Sequence, residues 1–324
     1  MHIQCPIGKV CDMNKADILV GDAVKGLKTL DDGVIKTCVT SPPYWGLRDY
    51  GNDGQLGLES KPSEFVENLC RVFDEVWRVL ADDGTVWVNL GDSYAGASLS
   101  RASNNGRAGY GNPREGTFSR LGNGLKHKEL VGIPWRFAFA MQDRGWYLRQ
   151  DIIWAKPNPM PESVTDRCTK SHEYVFLFSK QPKYFFDNEA IKEKALTEPV
   201  ARDKNEEGYQ ADYPGGDRFS AGARVYGADG MRNKRSVWNV GVASFKDAHF
   251  AVYPPALIEP CVKAGSAEGD TVLDPFSGSG TTGEVALKLG RNYVGCELNP
   301  DYAKLSEKRI TDALGMFADV KVKE

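Results

Sequence analysis

Val272-Leu273-Asp274-Pro275-Phe276-Ser277-Gly278-Ser279-Gly280-Thr281-Thr282-Gly283 sets a glycine-rich turn between an apolar run and a stretch with helical spacing. A turn of this kind lets a ligand approach the backbone closely and aims helix N-terminal N–H groups at it. The spacing Gly278-x-Gly280-x-x-Gly283 matches the dinucleotide fingerprint, and Glu297 ends the following strand, where a ribose-binding acid belongs. A tight strand-to-helix turn with no ligand uses the same glycines, so spacing alone leaves both readings open.

Asp274 separates the ligands. A carboxylate immediately before the turn would repel a phosphate group, whereas it suits a ligand with a cation there, such as the α-ammonium of S-adenosylmethionine (AdoMet). Glu297 would then hold the ribose hydroxyls. A nicotinamide cofactor, and with it a dehydrogenase, is the rival reading.

Outward from the turn, strand and helix patterns alternate along the chain. Strands are predicted at 16–20, 34–40, 85–90, 146–154, 174–178, 271–273 and 293–296, and helices at 61–80, 134–141, 255–264, 281–289 and 301–314. In the first long helix Phe65, Leu69, Val72, Phe73, Val76 and Leu80 share one face, with Ser60 as its cap, Pro62 in its first turn and Asp83-Gly84 at its end. Alternation on this scale implies an α/β fold with an open, mostly parallel sheet covered by helices, whose ligands gather at the carboxyl ends of the strands.

With 324 residues, 26% charged and 41% apolar, the chain has material for a sizeable core and no compositional case for disorder. No apolar run is long enough to span a membrane, and Met1-His2-Ile3-Gln4-Cys5-Pro6 lacks a signal pattern, which predicts a cytoplasmic protein without a membrane partner. The seven cysteines are scattered singly, so they read as reduced thiols and not as a metal site. Pro260-Cys261 resembles the nucleophile of ring-carbon cytosine methyltransferases but falls in an apparent helix, which favours a structural role.

Two irregular, Gly- and Asn-rich interruptions, 97–128 and 192–235, break the alternation; segments this long inside a compact domain are usually functional. The first carries Arg101, Arg107, Arg114, Arg120, Lys126 and Lys128 against the single acid Glu115 in a chain of formal net charge −3. A solvated face and a polyanion contact both account for that excess.

Thr40-Ser41-Pro42-Pro43-Tyr44-Trp45 follows a buried strand, and two consecutive prolines fix φ and remove two N–H donors. The loop is therefore stiff, with carbonyls and the Ser41 hydroxyl left to accept hydrogen bonds and Tyr44 left to stack. Ser-Pro-Pro-Tyr, followed far downstream by Asp-Pro-Phe-x-Gly-Ser-Gly, resembles the AdoMet-dependent amino-methyltransferases of DNA bases. The order of the two motifs resembles the β class of that family. Leu80-(x)3-Gly84, Ile152 to Asn158, Ser171-His172-Glu173 and His249 to Pro254 resemble further family blocks, in family order.

The resemblance implies a single methyltransferase domain over 1–324. Its fold would be a Rossmann-like, mostly parallel seven-stranded sheet with one antiparallel strand and helices on both faces, circularly permuted so that the AdoMet half closes the chain. It further implies a bacterial or phage modification enzyme acting on a base flipped out of double-stranded DNA. Ser41, Pro42, Pro43 and Tyr44 would form the catalytic loop. Asp22, Phe250, Pro254, Asp274, Phe276, Gly278, Gly280, Thr281 and Glu297 would bind the cofactor. The basic residues of 97–128 would contact DNA, and 192–235 would recognise the target.

An exocyclic amine is conjugated into its ring and is a poor nucleophile, so acceptors that bind both its N–H groups would favour a pyramidal nitrogen. Serine before Pro-Pro-Tyr is more typical of N4-cytosine members, with N6-adenine the alternative. A catalytically silent relative is disfavoured by intact Ser41, Tyr44 and Asp274. His172-Glu173 reads as a strand cap ahead of a proton relay, and Asp92 equally as a site residue or a strand terminator. The sequence leaves open whether the protein forms a homodimer and whether a cognate restriction endonuclease accompanies it.

Overall fold

The structure, a computed structural model, describes residues 3–4, 10–11, 14–46, 51–95, 124–195, 230–242, 253–315 and 318–323. In chain order the elements are β1 (Ile3–Gln4), β2 (Val10–Cys11), β3 (Asn14–Val20), α1 (Ala23–Leu27), β4 (Ile35–Thr40), α2 (Pro62–Val79), β5 (Leu80–Leu90), α3 (Ile133–Asp143), β6 (Tyr147–Ala155) and β7 (His172–Ser179). There follow β8 (Glu193–Lys194), β9 (Met231–Arg232), β10 (Val237–Asn239), α4 (Pro255–Gly265), β11 (Thr271–Asp274), α5 (Thr281–Lys288), β12 (Asn292–Glu297), α6 (Pro300–Leu314) and β13 (Ala318–Lys323).

The main sheet runs β10-β6-β7-β5-β4-β11-β12-β3-β13. Every neighbouring pair is parallel except the two made by β7, which is antiparallel to β5 and to β6. The seven strands from β6 to β3 are the expected core, with one antiparallel member. The sheet is wider than expected because β10 and β13 each add an edge, the latter pairing Asp319–Lys323 with Lys15–Leu19.

Helices cover both faces. On one, α1, α2 and α3 pack over Cys38, Val86, Val88 and Phe176; on the other, α4, α5 and α6 pack over Ile18, Val39, Trp87 and Val272. The central strands are buried on both sides, which explains their near-continuous apolar runs. In α2 the predicted stripe is buried, from Phe65 to Val76. Each such side chain contributes about 1.5–3 kcal/mol on leaving water. No helix among the described residues is long and apolar enough to cross a membrane.

Two boundary expectations are corrected. Lys61, not Ser60, occupies the cap position of α2, while the Ser60 hydroxyl donates to Glu64 Oε2 at 2.9 Å. Asp83-Gly84 does not end the helix: α2 stops at Val79 and β5 begins at once, with an irregular register against β4 between Ile35 and Thr37. Gly84 serves close packing there, since a Cβ at that position would lie 2.8 Å from the Lys36 carbonyl oxygen.

Both interruptions leave and return through paired feet. The first is closed by a Tyr94–Leu130 bridge and by Ala95 N donating to Glu129 O at 2.8 Å. The second is closed by antiparallel β8 and β9, with Glu193 accepting from Arg232 (3.0 Å) and Arg235 (2.7 Å).

Candidate active site

β4 leads into α2 on one face of the sheet and β11 into α5 on the other, so the chain diverges where these two strands lie side by side. Open α/β sheets bind ligands at such a reversal, beyond the carboxyl ends of the strands. A cavity of about 420 Å³ opens there. Its walls include Asp22, the Ser41-Pro42-Pro43-Tyr44 loop, Phe276, Gly278, Thr281 and Glu297, which the fold brings together from both ends of the chain.

The glycine turn owes its shape to packing. Gly280 takes the left-handed φ of 79° that caps α5, and a Cβ there would lie 2.9 Å from Ser306 Cα. Gly283 lets α5 settle on α6 and β12, since its Cβ would meet Ile310 Cδ1 at 2.6 Å. Glu297 Oε2 accepts from Gly278 N at 2.7 Å and Oε1 from Asn299 N at 2.9 Å, so this acid holds the turn open from the end of β12. Burial pushes its carboxyl above the usual range. Asp22 caps α1, accepting from Lys25 N at 3.0 Å, and lines the cavity beside Glu297, whose carbonyl accepts from Gly21 N at 2.8 Å.

Asp274 does not face this space. It is 1% exposed, and its oxygens accept from Thr40 Oγ1 and Thr282 Oγ1 (2.6 Å each), Phe276 N (3.0 Å) and Tyr253 OH (3.1 Å). With four donors already on it, the carboxylate ties β4, β11 and α5 together behind the wall instead of presenting an open counter-charge. Gly280 also lies outside the lining. Pro254 is buried as the cap residue of α4, and its neighbour Tyr253 is the one that reaches the cavity.

Ser41 and Tyr44 converge on residues from two further strands. Asn89 in β5 accepts from the Ser41 hydroxyl at 3.3 Å, and its Oδ1 also stands 3.3 Å from the Tyr44 hydroxyl oxygen. Tyr44 also donates to Glu173 Oε2 in β7 at 2.7 Å, and Lys156, just beyond β6, forms an ion pair with Glu173 Oε1. Thus Glu173 joins the site, whereas His172 packs edge-on against Tyr174. Asp92 proves to be a helix cap, with Oδ1 accepting from Gly132 N (3.0 Å) and Ile133 N (3.1 Å) at the start of α3.

Arg101, Arg107, Arg114, Arg120 and Phe250 lie outside the described residues. Lys126 is exposed, but Lys128 already has a partner, its Nζ standing 2.6 Å from Asp166 Oδ2. Cys261 is buried within α4, and burial pushes its thiol far up, so it is no nucleophile. Asn89, Asn68 and Leu56 contribute to the site without having drawn notice in the sequence, and Tyr253 does so from within the His249 to Pro254 block.

The profile of the DNA methylase family that comprises N6 and N4 enzymes matches residues 35–308. The chain belongs to the N6/N4 DNA methylase family. It is 44% identical over 306 residues to the type II methyltransferase M.Cfr9I of Citrobacter freundii, covering 92% of this chain and 89% of the relative. Among solved structures, the PvuII DNA methyltransferase (cytosine-N4-specific) superposes with a TM-score of 0.61 at 19% identity, covering 96% of this methylase and 95% of that chain. A putative DNA modification methylase of Thermus thermophilus, complexed with S-adenosyl-L-methionine, superposes with a TM-score of 0.59 at 24% identity, covering 95% and 100%. These likenesses are of fold, and they place the methylase's sheet among DNA methyltransferases.

Proposed function

We propose that the protein transfers a methyl group from AdoMet to the exocyclic N4 of a flipped-out cytosine in double-stranded DNA. The observation that carries this reading is that one cavity is shared by the Ser41-Pro42-Pro43-Tyr44 loop and the Phe276–Thr281 turn. A methyl donor and an acceptor loop belong within bonding distance, and this arrangement supplies both walls.

The residues fit AdoMet. The cavity is of ligand size, its Gly278 backbone is exposed to it, Phe276 and Val24 give it apolar surface, and Asp22 and Glu297 give it two acids. Glu297 would accept from the ribose hydroxyls, and Asp274 would act through the turn that it holds. The bound cofactor supplies an electrophilic methyl group on sulfur.

The rest of the chemistry falls to the chain. Pro42 and Pro43 have no N–H to offer, so the loop presents acceptors: the Ser41 hydroxyl oxygen and the Pro42 carbonyl. These bind the two N–H groups of the amine and draw its lone pair out of conjugation as the N–C bond forms and the S–C bond breaks. The amine's N–H stays hydrogen-bonded to one of these oxygens until the methylated nitrogen releases its proton to water. Such preorganised acceptors cost no reorganisation at the moment of reaction. The base has to leave the duplex to reach them, with Tyr44 as its stacking surface and the basic segment 97–128 along the phosphates. The insertion 192–235 would read the target.

Ser41 in the first position of the motif supports cytosine over adenine. Mass spectrometry of nucleosides from DNA methylated in vitro tests this: N4-methylcytosine is expected. N6-methyladenine without N4-methylcytosine would overturn the choice of base, and no methylation of DNA would overturn the reaction.

A further inference from the structure

Behind the Ser41 loop, Asn89 has only one way to sit. Its Nδ2 donates to Glu173 Oε2 (3.2 Å) and to the Tyr174 carbonyl (3.1 Å), both acceptors, so its Oδ1 necessarily faces Ser41 and Tyr44. Asn89 is 3% exposed, so this orientation is sealed from solvent. A serine hydroxyl has one proton; given to Asn89 Oδ1, it leaves only lone pairs for the cavity. Ser41 therefore meets an amine as an acceptor and cannot compete with it as a donor.

Tyr44 is held in a comparable way. Its hydroxyl donates to Glu173 at 2.7 Å, a charge-assisted bond, while Lys156 occupies the other carboxylate oxygen and both of these side chains are largely covered. Gly91 admits the ring edge, since a Cβ there would lie 2.6 Å from Tyr44 Cε2. Burial and the neighbouring carboxylate keep the phenol protonated well above its usual range, so the donor persists through neutral pH.

We propose that Asn89 and Glu173 are positioning residues for methyl transfer: Asn89 takes the Ser41 hydroxyl proton so that Ser41 is acceptor-only toward the amine, and Glu173, backed by Lys156, sets the angle of the Tyr44 ring on which the base stacks. The inference rests on the methyltransferase reading above.

Steady-state methylation of duplex DNA by the full chain tests it in a double-mutant cycle. Glu173→Gln and Tyr44→Phe should each lower kcat roughly ten-fold with KM for AdoMet unchanged, and the double variant should fall no further, because Glu173 acts through the Tyr44 hydroxyl. Asn89→Leu, which keeps volume but removes the acceptor, should likewise lower kcat and add nothing to Ser41→Ala. Multiplying effects in the double variants, or wild-type kcat in Glu173→Gln, would overturn the proposal. Should Glu173→Gln fail to fold, Tyr44→Phe alone decides, since it deletes only the hydroxyl: an unchanged kcat overturns the clamp. A wild-type protein that binds AdoMet but leaves DNA unmethylated would instead overturn the underlying function, and this inference with it.

Discussion

Thr40 and Asp274, 234 residues apart in the chain, end neighbouring strands and are joined Oγ1 to Oδ1 at 2.6 Å. The bond fastens the catalytic half of the site to the cofactor half. Asp274→Ala would leave the hydroxyls of Thr40, Thr282 and Tyr253 with one acceptor fewer in a buried space. An unsatisfied buried polar group costs about 1–3 kcal/mol. Urea unfolding should therefore show a loss of at least about 2 kcal/mol, and undiminished stability would mean that the carboxylate is not the tie described above.

Glu297 offers the contrasting case, because it lines the cavity as well as holding the turn. Glu297→Gln keeps one acceptor oxygen but sets an NH2 group against a backbone N–H. AdoMet affinity measured by calorimetry should fall roughly ten-fold or more, in keeping with the loss of a charged acceptor. An unaltered affinity would remove Glu297 from the cofactor site.

The basic segment is tested through its charge. Replacing Arg107, Arg114 and Arg120 together with glutamine should flatten the dependence of log affinity for DNA on log salt, by up to about 0.9 for each phosphate no longer neutralised. An identical slope in fluorescence anisotropy would return the segment to a solvated loop.

The thiols give a pH prediction. Among the described residues Cys38, Cys70, Cys261 and Cys296 are buried and Cys168 is exposed. Cys168→Ser should remove one fast-reacting thiol from a titration with an aromatic disulfide reagent, while the four buried ones should wait for unfolding. Burial pushes Cys70 and Cys296 from 9.0 to about 12. Between those values the unfolded chain has lost protons that the native state keeps, so these thiols' contribution to stability declines as pH rises through that window. Urea midpoints across that pH range should fall less steeply in a Cys70→Ala variant than in the wild type.

Much of this architecture was legible because its cause is local. The apolar stripe of α2 and the unbroken Tyr174–Phe178 run announce one buried face and two buried faces respectively. The loop at Ser41 and the turn at Gly278 could be read because each consists of consecutive residues. The β10 strand is only three residues long, and β13 is a half-polar edge with Asp319, Lys321 and Lys323, so neither carries a strong pattern. Asn89 carries no sequence signal, and the Ser171-His172-Glu173 block gives no sign that Glu173 meets Tyr44: both reach that ring only because β5 and β7 are neighbours in the sheet, a fact of tertiary order. Asp274 was placed correctly at its strand end, but its direction depends on hydroxyls at positions 40, 253 and 282 that no spacing rule connects.

The pairing of β4 with β11 has a consequence for the newborn chain. Ribosomes extend a protein by roughly 5–20 residues each second, so Thr40 waits on the order of ten to fifty seconds for Asp274 to be made. Throughout that interval Ile35–Thr40, a strand almost entirely buried in the finished fold, has an edge of unpaired N–H and C=O groups toward the absent strand. An edge of that kind is a template for pairing with other chains. Aggregation during synthesis should thus depend on how quickly the last third of the polypeptide follows the first, and slow codons between positions 180 and 270 should lower the soluble yield without changing a single amino acid.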